Sequence, residues 1–164
     1  YFTKQIKDMK VIRHSNNNVG YPIGSNYLPN LTVCKELASN IMFEFPDNKI
    51  QFICTGSSGA IIAALVAQHI NNSKICHVKK EGEKSHCTAS VESNNEFVKI
   101  IIDDFVCSGS TVNRLIRYLN NFDNEKRHIA LMGDADLDGL SKKISQWDSF
   151  ETVFLMHPYE PTRN

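Results

Sequence analysis

Val98-Lys99-Ile100-Ile101-Ile102-Asp103-Asp104-Phe105-Val106-Cys107-Ser108-Gly109-Ser110-Thr111 sets an apolar run, two acids and a small-residue loop in one order. The run is short, β-branched and bounded, as a buried strand is. Its exposed end delivers two adjacent carboxylates. The loop then opens a helix at its N-terminus, because Val112, Leu115, Ile116 and Leu119 repeat on one side through Phe122. Successive backbone N–H groups in such a loop, with the hydroxyls of Ser108, Ser110 and Thr111, make a cradle for an anion, and the helix dipole adds to it. Carboxylates beside that cradle repel a phosphate unless they handle sugar hydroxyls or a cation. The combination points to a phosphorylated sugar with vicinal hydroxyls and Mg²⁺ nearby. The plainer alternative is a tight strand-to-helix turn, with Ser110 as a helix cap and the acids merely solvated.

Outward from this stretch, short strands alternate with helices. A helix is expected over 31–43, where Val33, Leu37 and Ile41 share a face and Pro46 stops the run. A strand follows over 49–55, then a glycine-serine turn, Gly56-Ser57-Ser58-Gly59, then an Ala-rich helix over 60–70. Further strands are expected at 74–78, 128–132 and 152–156, and a short helix within 138–147. Residues 79–95 read as a long polar loop, and 1–30 as irregular, with Gly20, Pro22, Gly24 and Pro29 as breakers. The pattern argues for an α/β fold, a mainly parallel sheet with helices on both faces. Ligands of such folds bind at the carboxyl ends of strands.

The acid pair and its loop resemble the phosphoribosyl-pyrophosphate (PRPP) signature of type I phosphoribosyltransferases: apolar residues, two acids, three residues, Thr or Ser, Gly, any residue, Thr. Here that is Ile100-Ile101-Ile102-Asp103-Asp104, then Ser108-Gly109-Ser110-Thr111. The resemblance implies that Asp103 and Asp104 hold the ribose hydroxyls and Mg²⁺, directly or through water. It implies that Cys107, Ser108, Gly109, Ser110 and Thr111 hold the 5′-phosphate. Thr55-Gly56-Ser57-Ser58-Gly59 looks like the family's pyrophosphate loop, except that many relatives carry Lys or Arg at the position of Ser58. Val78-Lys79-Lys80-Glu81-Gly82-Glu83-Lys84-Ser85-His86 is similar to the start of its catalytic lid. Lys79 is then a pyrophosphate ligand, and Lys80, Lys84 and His86 are catalytic lid residues. A lid suits this chemistry, because breaking the C1′–O bond builds charge that needs stabilising in a site closed to water.

The resemblance covers about residues 31–133 of a single domain spanning 1–164, leaving 1–30 and 134–164 for a small variable hood. Tyr21, Tyr27, Trp147, Phe150, His157 and Tyr159 are aromatic candidates for stacking an acceptor base. Asp134, Asp136 and Asp138 begin like a calcium loop, but Ser145 stands where its last Glu belongs, so a solvated turn is the simpler reading. The expected activity is Mg²⁺-dependent transfer of 5-phosphoribosyl from PRPP to a nitrogenous base, a purine or pyrimidine, with release of pyrophosphate. The alternatives are a non-catalytic PRPP- or nucleotide-binding regulator and an unrelated flavodoxin-like phosphate-binding module.

Composition narrows the field further. The 164 residues carry 18 basic and 18 acidic side chains, a formal net charge of zero, which argues against a nucleic-acid partner. No apolar run approaches membrane-spanning length. The cysteines Cys34, Cys54, Cys76, Cys87 and Cys107 form no Cys-x-x-Cys pair, and Cys54 and Cys76 lie in apolar runs as core residues do. A reducing, cytoplasmic setting follows from that usage. A homodimer is implied by the resemblance.

Overall fold

The structure is a computed structural model that describes residues 9–13, 31–79, 96–121, 127–133 and 136–156. Its strands are β1 (Lys10–Arg13), β2 (Lys49–Cys54), β3 (Ser73–His77), β4 (Phe97–Asp103), β5 (Arg127–Leu131) and β6 (Phe150–Leu155). The helices are α1 (Leu31–Glu44), α2 (Gly56–Ala67), α3 (Ser110–Asn120) and α4 (Leu137–Lys143), with a short 3-10 turn at Trp147–Ser149. All strands pair in parallel in one six-stranded sheet, in the order β1-β6-β5-β4-β2-β3. This is the α/β architecture that the alternating pattern predicts.

Period-two alternation along β4 explains the two cores. Ile100 and Ile102 pack with Val33, Leu37 and Ile41 of α1 and Ile62 and Val66 of α2. Ile101, on the opposite face, packs with Val112, Leu115 and Ile116 of α3 and Leu140 of α4. Burying both faces is what permits so continuous an apolar run. Cys54 belongs to the first core and Cys76 to the second, so these neighbours on β2 and β3 point away from each other, and both are buried.

The strand order reverses between β2 and β4. From β2 the chain passes to β3 on one side, and from β4 it passes to β5 on the other. The helices after β2 and β4 therefore cover opposite faces, and a crevice opens between the carboxyl ends of these two strands.

Two local readings change. Lys10–Arg13, inside the segment expected to be irregular, forms edge strand β1 against β6. Gly56 is the first residue of α2 rather than part of a turn before it. Its φ of 76° suits glycine, and the helix starts four residues earlier than expected.

Candidate active site

β4 ends in the acid pair. Asp103 is its last residue and is buried. Its Oδ1 accepts the Asp104 N–H at 2.9 Å, and Asp104 Oδ1 accepts the Phe105 N–H at 2.7 Å. The backbone here is tied to the end of β5: Met132 N–H donates to the Asp103 carbonyl at 3.1 Å, and Gly133 N–H donates to that of Asp104. Gly133 is glycine for lack of space, since a Cβ would lie 2.7 Å from Phe105 Cβ and 3.0 Å from the Asp104 carbonyl oxygen. The sequence reading missed both Gly133 and Phe105, because their pairing joins segments that are far apart in the chain.

The loop then turns into α3. Gly109 caps the helix with φ 89°, a left-handed conformation. Ser108 Oγ accepts the Ser110 N–H at 3.3 Å and lies 3.1 Å from Ser110 Oγ, so two hydroxyls sit together at the helix start. The end of α4 braces this loop from outside. A Cβ on Gly109 would meet the Lys143 carbonyl oxygen at 2.5 Å. Asn113 holds that carbonyl through Nδ2 at 3.1 Å, and its Oδ1 accepts from Ser145 N–H and Oγ at 2.8 and 3.0 Å.

β2 delivers the other wall. Thr55 stands at the N-cap of α2 in extended conformation, yet its hydroxyl caps no amide. It donates to the Val78 carbonyl at 2.6 Å and accepts from Arg114 Nη2 at 3.2 Å. His77 Nε2 lies 3.3 Å from the Gly56 carbonyl oxygen. Gly59 brings the first turn of α2 against β4, with a virtual Cβ 3.6 Å from Asp103 Oδ1 and 3.5 Å from Cys54 Cβ. The Cys54 thiol is pushed up to about 12 by burial first, then by negative charge at Cys76 and Asp103. It stays protonated at neutral pH and supplies no nucleophile.

The two loops face each other across a cleft of about 530 Å³, lined by Thr55 to Ser58 and by Asp103 to Val112. All the residues expected to hold ribose and 5′-phosphate line it, as do Thr55, Gly56, Ser57 and Ser58 of the loop expected to hold pyrophosphate. Gly59 is buried just behind. Lys79 follows the Val78 carbonyl bound by Thr55, is half-buried, and does not line the cleft. Lys80, Lys84 and His86 fall outside the described residues, as do Tyr21, Tyr27, His157, Tyr159 and Asp134. Phe150 is fully buried and Trp147 packs on it at 5.7 Å, at the amino end of β6 and away from the cleft. Asp136 caps α4 through Gly139 N–H at 2.7 Å, and Asp138 pairs with Lys142 at 3.1 Å, which is the solvated-turn reading.

Among the described residues no group of three or more His, Cys, Asp or Glu could hold a metal by itself. The Asp103–Asp104 pair still fits Mg²⁺, which takes hard oxygen donors and is commonly bound by one or two carboxylates with substrate phosphates completing its shell.

The strand order, the crevice at its reversal and the acid pair facing the start of a second helix define a type I phosphoribosyltransferase fold. The chain belongs to the PRTase-CE family, whose model matches residues 10–145. Among solved structures it is similar to a hypoxanthine-guanine phosphoribosyltransferase from Bacillus anthracis, with TM-score 0.56 and 20% identity, covering 79% of this chain and 78% of that one. It is also similar to a hypoxanthine phosphoribosyltransferase from Staphylococcus aureus, with TM-score 0.55 and 16% identity, covering 79% and 74%. A third is the APRTase of Giardia lamblia, with TM-score 0.52 and 12% identity, covering 80% and 81%. No curated protein matches the chain by sequence. No helix among the described residues is long and apolar enough to cross a membrane.

Proposed function

We propose that the cleft binds PRPP and that the protein transfers its 5-phosphoribosyl group to a nitrogenous base, a purine or pyrimidine, releasing pyrophosphate. The observation that carries this reading is the cleft itself, which sets the Asp103–Asp104 carboxylates between the starts of α2 and α3. The start of α3, with Ser108, Ser110 and Thr111, takes the 5′-phosphate through amides, hydroxyls and helix dipole. Asp103 and Asp104 accept from the ribose hydroxyls and offer oxygens to Mg²⁺. The start of α2 takes the pyrophosphate. Bound Mg²⁺ would offset the negative charge of the leaving group.

In the transfer the C1′–O bond breaks with its electron pair leaving on pyrophosphate. A base nitrogen then bonds to C1′ from the opposite face, and its proton passes to solvent. No enzyme nucleophile is required, consistent with the protonated Cys54. Lys79 is assigned to the pyrophosphate, and Lys80, Lys84 and His86 to the lid that covers the leaving group. A homodimer goes with the reading on the strength of the sequence resemblance, and a cytoplasmic setting on the cysteine usage; sedimentation tests the dimer.

Pyrophosphate release from PRPP and Mg²⁺ is to be measured against a panel of purines and pyrimidines. The expected result is release that depends on one base class; base-independent silence with PRPP bound would replace the transferase by a PRPP-binding regulator. One feature favours that second reading: among the described residues, none that lines the cleft is basic.

A further inference from the structure

Asp103 and Asp104 give the cleft negative charge, and among the described residues none that lines it offsets that charge. A multiply charged anion needs positive charge from the surrounding walls. The Thr55–Gly59 loop contains no Lys or Arg. An arginine reaches this loop from α3. Arg114 crosses from α3 to the end of β2, where Nη2 donates to Thr55 Oγ1 at 3.2 Å. Its Nε–H is closed off from solvent and has no acceptor among the described residues. No carboxylate pairs with it among those residues either. A buried donor without a partner is costly, and a guanidinium keeps its charge at any physiological pH.

Thr55 links this cation to the cleft. A Thr at the N-cap ordinarily accepts an amide N–H of the first helical turn. Here its proton goes to the Val78 carbonyl at 2.6 Å and its oxygen accepts from Arg114, so the first turn of α2 has no side-chain cap. The amides at the start of α2 are thereby left for a ligand, while the charge stands one hydroxyl behind them.

We infer that Arg114 is the positioning residue of the pyrophosphate end of the cleft: it turns the Thr55 hydroxyl away from α2 and brings to that end the positive charge its loop lacks. This rests on the reading of the cleft as a PRPP site. Arg114 acts through Thr55 and through its field, not by touching the reacting atoms.

The test is calorimetric titration of the full chain with inorganic pyrophosphate and, separately, with ribose 5-phosphate, both with Mg²⁺. Arg114→Gln is expected to weaken pyrophosphate binding about tenfold and to leave ribose 5-phosphate within about twofold. Arg114→Lys is expected to recover part of the loss. Equal weakening for both ligands would reduce Arg114 to a structural brace and overturn the inference, as would unchanged pyrophosphate affinity. If Arg114→Gln fails to fold, Arg114→Lys is compared with the wild type alone: it keeps the charge but not the guanidinium fork, and is expected to weaken pyrophosphate more than ribose 5-phosphate, equal effects overturning the inference. Wild-type protein that takes up neither ligand overturns the reading of the cleft and this inference with it. Wild-type binding of both, with the variants losing both equally, overturns this inference alone.

Discussion

Gly109 is the residue at which the loop before α3 tolerates least. Its φ of 89° disfavours any side chain, and a Cβ would stand 2.5 Å from the Lys143 carbonyl oxygen. Gly109→Ala is expected to cost about 2 kcal/mol or more, which thermal unfolding would show as a midpoint lower by roughly 4–8 °C. It should also weaken ribose 5-phosphate binding, because relief of the clash must move the loop. Gly109 was legible in the sequence, since a glycine between two serines after an apolar run marks the turn from a strand into a helix. Gly133 and Arg114 were not. Each acts on the site through a partner far away in the chain, Phe105 for one and Thr55 for the other, and local pattern carries no such information. The aromatic identity of Trp147 and Phe150 suggested base stacking, but identity does not say at which end of the sheet a residue lies.

At the scale of elements, the strong strands declared themselves. β4 is an isoleucine run buried on both faces, and α3 shows its apolar stripe plainly. β1 did not, because Lys10-Val11-Ile12-Arg13 has only a short apolar centre, and its strand conformation comes from pairing with β6. The start of α2 did not either, since Gly and Ser are poor helix formers and what fixes that turn is packing against β4. The brace between α3 and α4 was likewise invisible. Asn113 carries it with bonds to Lys143 and Ser145. Asn113→Ala should lower stability by about 1–2 kcal/mol in denaturant titration. It should weaken ribose 5-phosphate severalfold while leaving pyrophosphate binding nearly intact, because only the α3 side of the cleft loses its support.

Over the whole molecule, the site follows from topology. Reversal of the strand order between β2 and β4 sends α2 and α3 to opposite faces and leaves their N-termini flanking one crevice. Buried thiols make stability depend on alkaline pH. Burial raises Cys34 to about 11 and, with nearby negative charge, Cys54 to about 12, from an ordinary 9.0. In the unfolded chain these thiols lose protons from about pH 9, while the folded state keeps them protonated. Their contribution is therefore full below about pH 9 and is lost as pH rises through the folded values. Denaturant midpoints should fall between about pH 8 and about pH 10.5; equal midpoints would contradict the burial. The central claim is that the crevice holds PRPP on the Asp103–Asp104 carboxylates. Its most direct test is calorimetric titration of PRPP with Mg²⁺ into the wild type and the Asp103→Asn, Asp104→Asn double variant, with melting of both followed in parallel. The account predicts that the wild type binds, and that the double variant melts normally yet binds about a hundredfold more weakly. Equal affinities, or no binding by the wild type, would contradict it.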